Sequence, residues 1–202
     1  MMMRIFRLAG FGALGAVATV TVLPLSGAAW AQTAAPAQPA PAQVEPKMET
    51  FGKWSTIVDE VNTGEDVRKT CAASTAFLDA DGTSGTLTLA ISNGDALPPD
   101  GYPTLVIALK NKDLPTGENI PAVFGDSNGK VKATVNASGD GQWMMNNKTE
   151  TTLAVLRAMR RAGALDVSFK DKPVAMVSMD GFTKAYRSLG VSCGFPTGDV
   201  AP

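Results

Sequence analysis

The chain has 202 residues, with 18 Lys and Arg against 19 Asp and Glu, two cysteines and no histidine. The lack of histidine excludes Ser-His and Cys-His catalytic pairs, and two cysteines are too few for a four-thiolate zinc site or an iron–sulfur cluster. A formal charge of −1 without a basic block argues against nucleic acid as the main partner.

The N-terminal region, residues 1–31, is predicted to be a cleaved secretory signal peptide. Arg4 and Arg7 give it a basic start, an apolar run follows over 8–25, and small residues stand at Ala29 and Ala31. We place the cleavage after Ala31, which removes both arginines and changes the net charge from −1 to −3. An uncleaved membrane anchor is the alternative, because the apolar run is nearly long enough to span a bilayer. The sequence therefore predicts a periplasmic or secreted protein without a membrane span after cleavage.

Three further regions follow in the predicted domain organisation. Residues 32–50 are rich in Ala, Pro and Gln and predict an extended linker; a proline-rich ligand for a partner's groove is the alternative. Residues 51–196 are predicted to fold as one domain, since about 145 residues suffice for a hydrophobic core. Residues 197–202 are predicted to be a flexible tail.

Short segments separated by turn residues dominate the domain and predict β-strands. The first covers 51–58 and carries Trp54, and the second covers 67–78. Asp81-Gly82 predicts a hairpin. The strand after it, 86–92, places Leu87, Leu89 and Ile91 on one face and Thr86, Thr88 and Ala90 on the other. After the Asn93-Gly94 turn, the remaining predicted strands are 104–110, 122–124, 130–136, 142–145, 165–169 and 173–179.

Helical spacing of apolar residues predicts one α-helix near 150–162. Asn147 and Glu150 resemble a capping box at its start, and Gly163 is the expected left-handed stop.

A short second helix is predicted near 181–189, with Asp180 as its cap and Gly190 as its end. Strands dominate over these two helices. We therefore predict a mainly β protein with a single antiparallel β-sandwich domain.

Cys71 and Cys193 are predicted to form a disulfide, because two cysteines of one domain in an oxidising export compartment pair by default. Two free thiols and a redox-active pair are the alternatives, although redox pairs use close spacing such as Cys-x-x-Cys. The bond would close a loop of about 120 residues, which the chain-entropy model values at roughly 4–5 kcal/mol.

Trp143, Met144 and Met145 form one unusual apolar cluster. Consecutive residues of a strand point to opposite faces, so at least one of the three should lie off the main core face. An exposed Trp or Met suits adaptive binding of a partner, which makes the cluster a candidate interaction surface. The alternative is a strand that is buried on both faces or packed beneath the following helix.

The residues predict no catalytic, cofactor-binding or metal-binding set. The leading hypothesis is an exported, non-enzymatic protein that binds an unknown protein or envelope component. One alternative is a hydrolase or lyase that uses Asp, Glu, Lys or Tyr, and another is a structural or stress-related envelope protein. The sequence leaves the oligomeric state open.

Two stretches carry a resemblance to a known family. Phe51-Gly52-Lys53-Trp54, followed by a strand and Cys71, resembles the opening of the invasion-associated locus B-like periplasmic proteins. The helix, glycine and strand over 153–169 also fit, and the stretch 177–186, VSMDGFTKAY, is similar to the family's terminal strand, Gly-Phe and short helix. The resemblance spans nearly the whole domain in order.

The resemblance implies a divergent member of this family: a small exported β-sandwich without catalytic residues, of a kind associated in some bacteria with host-cell entry. The family's usual cysteine after the tryptophan is replaced here in the region of Val58 and Asp59. Trp143 stands near a position of the family's second cysteine pair. In the family, the cysteine that is missing here pairs with the one that matches Cys71. The resemblance therefore implies that Cys193 replaces it as the partner of Cys71.

Overall fold

Ten β-strands and two α-helices make up a computed structural model that describes residues 45–62, 67–91, 101–110 and 114–202. The predicted signal peptide 1–31, most of the predicted linker and the Asn93-Gly94 turn lie outside the described residues. The strands are β1 (Lys47–Phe51), β2 (Trp54–Asn62), β3 (Val67–Leu78), β4 (Ser84–Ile91), β5 (Thr104–Leu109), β6 (Ile120–Asp126), β7 (Gly129–Ser138), β8 (Gln142–Met145), β9 (Ala164–Phe169) and β10 (Lys172–Ser178).

All ten strands belong to one antiparallel sheet with the order β1-β2-β3-β4-β5-β8-β7-β6-β9-β10. The sheet turns back on itself, because β10 at its end packs against β3. The predicted mainly β, antiparallel fold is confirmed. The two layers that resemble a sandwich are parts of one curled sheet.

The two faces of the sheet differ in burial, as period-two alternation requires. In β4, Leu87, Leu89 and Ile91 are buried while Thr88 and Ala90 are half-buried on the other side. We call the side of Leu87 the inner face and the side of Thr88 the outer face.

Both helices pack on the inner face. Helix α1 (Thr149–Arg161) lies on β6, β7 and β9, and helix α2 (Phe182–Cys193) lies on β1, β2 and β3. Trp54 of β2 contacts both α2 and β10. Its ring centroid lies 5.1 Å from that of Phe182, and its indole nitrogen donates to the Ser178 carbonyl at 3.1 Å. Buried aromatic rings of this kind supply much of a core's stabilisation.

The predicted capping box of α1 is wrong. The N-cap residue is Lys148 and makes no side-chain cap hydrogen bond. Asn147 instead donates to the Tyr102 carbonyl at 2.7 Å and accepts from the Thr152 hydroxyl at 2.9 Å, which ties the helix start to the residues before β5. The predicted left-handed stop is also wrong, since the C-cap is Ala162 in an extended conformation.

Helix α2 begins and ends differently from the prediction. Its N-cap is Gly181 with φ 90°, where a Cβ would lie 1.7 Å from the Phe51 carbonyl oxygen, so only glycine fits. Gly190 does not end the helix, which continues to Cys193 and stops at left-handed Gly194. A Cβ on Gly190 would lie 2.2 Å from Thr197, so this glycine allows the C-terminal residues to approach closely.

The predicted boundaries at both ends of the domain need correction. Lys47–Phe51 forms β1, so residues 47–50 belong to the sheet, and a turn at Gly52 and Lys53 divides the predicted first strand. The predicted flexible tail is also wrong, because Val200 and Ala201 are buried. The carbonyls of residues 199, 200 and 201 accept hydrogen bonds from three arginines of the helices: Arg157, Arg160 and Arg187.

Cys71 and Cys193 lie at disulfide distance, as the sequence predicts, with Cα atoms 6.4 Å apart. The pair joins the middle of β3 to the last turn of α2 across 122 positions of sequence. Beside it, Lys69 bridges Glu60 at 2.7 Å and donates to the Ser192 carbonyl at 3.0 Å. The end of α2 is therefore placed for a disulfide to β3 and makes a polar contact with the same strand.

Candidate functional site

The predicted interaction cluster in β8 is divided between the two faces of the sheet. Trp143 and Met145 are 2% exposed, whereas Met144 is 50% exposed. The Trp143 ring lies 5.6 Å from that of Phe169, and its nitrogen donates to the Pro115 carbonyl at 2.9 Å. Trp143 and Met145 are therefore core residues, and of the three Met144 alone lies on the outer face.

Met144 lies within an uncharged region of the outer face. Its cross-strand partners are Val106 in β5 and Asn136 in β7. Val106 in turn pairs with Thr88 in β4, and Thr88 pairs with Ser74 in β3. A row of side chains without charge thus crosses the sheet from β7 to β3.

Neighbouring rows have the same character, and we call the whole region the neutral face. It carries apolar, hydroxyl and amide side chains. Its residues are Met48, Thr50, Ser55, Ile57, Ala72, Ser74, Ala76, Thr86, Thr88, Ala90, Thr104, Val106, Ala108, Asn136, Ser138, Gln142 and Met144.

Charged residues border the neutral face. Asp59 and Arg68 continue the outer face of β2 and β3 at one end, Lys110 and Asp140 lie past the strands at the other, and Lys132 lies further back along β7. Charged side chains make up 18% of the chain and normally occupy exposed positions. Interaction surfaces usually have an apolar centre and a polar rim; the neutral face has a charged border around a centre of mixed apolar and hydroxyl side chains, most of them half-buried.

Regular strand pairing keeps the neutral face continuous. The described registers between β1, β2, β3, β4, β5, β8 and β7 run without a shift. A register shift is recorded instead between Pro173 and Ala175 of β10, at the far end of the sheet. A bulge and an edge proline both discourage pairing with a further strand. That edge is thus protected, while the neutral face is uncovered in the described part of the chain.

A second surface feature is a cleft of about 470 Å³ between the turn after β3 and strands β6, β9 and β10. Exposed Leu78 and Met176 line it, together with Asp126, Lys130 and Asp166. Charges of both signs therefore stand beside its apolar walls.

Asp126 is held by contacts within the chain. Desolvation raises the pKa of its carboxyl, but hydrogen bonds from Asn128 and the charge and hydrogen bond of Arg161 outweigh that effect and lower the pKa overall. The Arg161 guanidinium lies 3.2 Å from the carboxylate. Asp126 thus links the β6–β7 turn to α1 as an ionised group, which is a structural role.

The hydrolase or lyase hypothesis needs polar side chains that converge in a cleft. Tyr102 and Asp199 do converge, since the tyrosine hydroxyl donates to the carboxylate. This contact fastens the C-terminal segment, and neither residue lines the 470 Å³ cleft. Among the described residues, no group of three or more Cys, Asp and Glu side chains is placed to hold a metal ion.

The comparisons with known proteins leave the family open. No protein-family model matches the chain, and neither a curated protein nor a solved structure matches it significantly. Membership of the invasion-associated locus B-like family therefore stays a prediction from the two sequence stretches that carry it. No described helix has both the length and the apolar character needed to cross a membrane.

The sequence marked the cluster 143–145 and placed Thr86, Thr88 and Ala90 on one face of their strand, but it did not single out Met144 or join these residues into one surface. The available signal lay in the alternate residues of each strand, the ones between the buried positions. In β4 and β5 the positions between the buried residues hold Thr86, Thr88, Ala90, Thr104 and Val106, with no Lys, Arg, Asp or Glu. Recognising that these strands are neighbours required the sheet order, which periodicity alone does not supply.

Proposed function

We propose that this chain is an exported, non-enzymatic binding protein that contacts a protein or envelope component through the neutral face. The observation that carries this proposal is the uncharged outer face around Met144, bordered by charged residues. Such a face loses little on desolvation, because no ion must leave water when a partner covers it.

Two further features support binding as the function. Hydroxyl, amide and methyl groups alternate on the face, so it offers hydrogen bonds and apolar contact together. Met144 is exposed and flexible enough to adapt to a partner's surface. The periplasmic or secreted location and the role in host or envelope interaction belong to the same proposal, and the signal-peptide pattern and the family resemblance support them.

The test is affinity capture from the periplasm with mass spectrometry, comparing wild type with two matched variants. Val106→Lys places a charge in the middle of the neutral face, and Val191→Lys makes the same change on α2, where Val191 is 87% exposed. We expect wild type and Val191→Lys to capture the same component and Val106→Lys to lose it.

The thermal unfolding midpoints of both variants provide the control for folding. Val106→Lys must unfold within a few degrees of wild type for its loss of capture to count. Equal capture by all three proteins would show that binding occurs elsewhere. Failure of wild type to capture any reproducible component, itself included, would contradict the proposed function.

A further inference from the structure

We propose that the cleft of about 470 Å³ beside β10 binds a zwitterionic α-amino acid with an apolar side chain. The residues that line this cleft are not part of the neutral face, so the inference goes beyond the proposed function. Small-molecule sites have volumes of about 300–1,000 Å³ and combine apolar walls with a few convergent polar groups. The cleft has both properties.

The floor of the cleft is a cross-strand row of the outer face. Gly125 of β6 pairs with Lys130 of β7 on one side and with Asp166 of β9 on the other, and Asp166 pairs with Met176 of β10. Residues that are directly opposite in neighbouring strands share a face. A Cβ on Gly125 would lie 3.7 Å from the Lys130 Cγ and 3.8 Å from the Asp166 Cβ. A cation and an anion therefore flank a position without a side chain, which leaves room for a ligand between them.

Of the four charged residues that line the cleft, two are held by contacts within the chain. The Asp79 carboxylate accepts two backbone N–H groups of its own turn, and Asp126 is paired with Arg161. Lys130 and Asp166 form no ion pair with any other residue that the structure describes. One cation and one anion are thus left to contact a ligand.

These two charges determine the class of ligand. A ligand with a single charge would pair with one of them and remove water from the other, which is unfavourable for an unpaired ion. A zwitterion pairs with both: its carboxylate accepts from Lys130 and its ammonium donates to Asp166, through charge-assisted hydrogen bonds of about 2.8 Å. An α-amino acid carries both groups on one carbon, so it can bridge two charged residues that flank a single glycine.

The walls of the cleft determine the side chain of the ligand. Leu78 at the end of β3 is 64% exposed and Met176 of β10 is 68% exposed, and both line the cleft with Val123 and Pro173. A ligand side chain that covers these apolar groups removes their surface from water, which is favourable. The cleft is therefore suited to amino acids with a large aliphatic or aromatic side chain.

Isothermal titration calorimetry of the full chain with L-phenylalanine, L-leucine, hydrocinnamate and phenethylamine tests the site. Hydrocinnamate is phenylalanine without its ammonium group, and phenethylamine is phenylalanine without its carboxylate. We expect both amino acids to bind with dissociation constants of about 10 to 100 µM, a modest affinity. Each truncated probe should bind at least about 10-fold more weakly than L-phenylalanine, because it leaves one charge of the cleft without a partner.

Two variants assign the individual contacts. Lys130→Gln should weaken L-phenylalanine at least about 10-fold without weakening phenethylamine, which has no carboxylate to lose. Asp166→Asn should weaken L-phenylalanine similarly without weakening hydrocinnamate, which has no ammonium group. A purely structural role of either residue would not produce this crossed pattern. The matched controls are Lys132→Gln on the same strand as Lys130 and Asp140→Asn in the turn before β8, since neither residue lines the cleft.

Three results would overturn the proposal. The first is the absence of binding by both amino acids up to about 10 mM. The second is equal affinity for L-phenylalanine and either truncated probe, and the third is an equal loss of affinity in Lys130→Gln and Lys132→Gln. Because the cleft shares no residue with the neutral face, each of these results would leave the capture test of the proposed function unaffected.

Discussion

The inner and outer faces of one sheet differ in what covers them. The inner face packs against α1 and α2, and the C-terminal segment is in turn held by arginines of those helices. The neutral face has only small, uncharged side chains beside a few apolar ones, and no described element covers it. The same strands serve both faces, so residues that stabilise the fold alternate along each strand with residues that no described element covers.

The largest expected effect separates two adjacent residues of β8. Trp143→Ala should destabilise the protein by about 3–5 kcal/mol, because it empties a buried, hydrogen-bonded site. Met144→Ala should change stability by less than about 0.5 kcal/mol, since exposed positions away from special contacts are tolerant. Urea unfolding of both variants measures the difference. Similar losses for the two residues would mean that the outer face is also part of the core.

The disulfide is expected to have the next largest effect. Replacing Cys71 and Cys193 by alanine should destabilise the chain by about 2–5 kcal/mol, because the unfolded chain loses a long-range constraint. A thiol titration of native protein should find no free thiol before reduction. Two reactive thiols in the oxidised protein would show that Cys71 and Cys193 are not bonded.

The C-terminal segment allows a matched comparison of two valines. Val200→Ala should cost about 1–2 kcal/mol, because Val200 is fully buried. Val191→Ala should be nearly neutral, because Val191 is exposed. Denaturant unfolding of both variants provides the measurement. Equal stability of the two would mean that the segment contributes little and behaves as the flexible tail expected from sequence.

The smallest expected effect concerns the two tyrosines. The Tyr186 hydroxyl is buried and, within the described part of the chain, has no hydrogen-bond partner. Tyr186→Phe should therefore be neutral or stabilise by up to about 1 kcal/mol. Tyr102→Phe should cost about 1–2 kcal/mol, because it removes the hydrogen bond to Asp199. The opposite signs can be measured in one urea series.

Tyr186 should also give the protein an alkaline limit. Burial, followed by the nearby Asp199 and Tyr102, raises the pKa of Tyr186 above its usual value. A raised pKa favours the protonated folded form, so its contribution is complete below a pH of about 10 and is lost as the pH rises further. Unfolding measured between pH 9 and about 11 should show a shallower alkaline loss in Tyr186→Phe. An identical pH profile would exclude Tyr186 as the cause.

Much of the fold could be predicted from local patterns. Strands 67–78 and 142–145 have the predicted bounds, since their alternation and turn residues are unambiguous. The helix caps could not be predicted. The Asn147 side chain donates to the Tyr102 carbonyl instead of capping α1, and Gly190 allows Thr197 to approach α2 closely instead of ending the helix. Both depend on contacts between distant parts of the chain. The neutral face depends in the same way on strand order, so the sequence marked the cluster 143–145 and one face of 86–92 without joining them.

The most direct test of the central claim is site-specific photo-crosslinking in the exporting cell. A photoreactive phenylalanine analogue replaces Met144 on the neutral face or, as the control, Val191 on α2, which is also exposed. We expect a reproducible adduct from position 144 and none from position 191. An adduct of twice the chain's mass would identify a second copy. An adduct from position 191, with none from position 144, would contradict the assignment of binding to the neutral face.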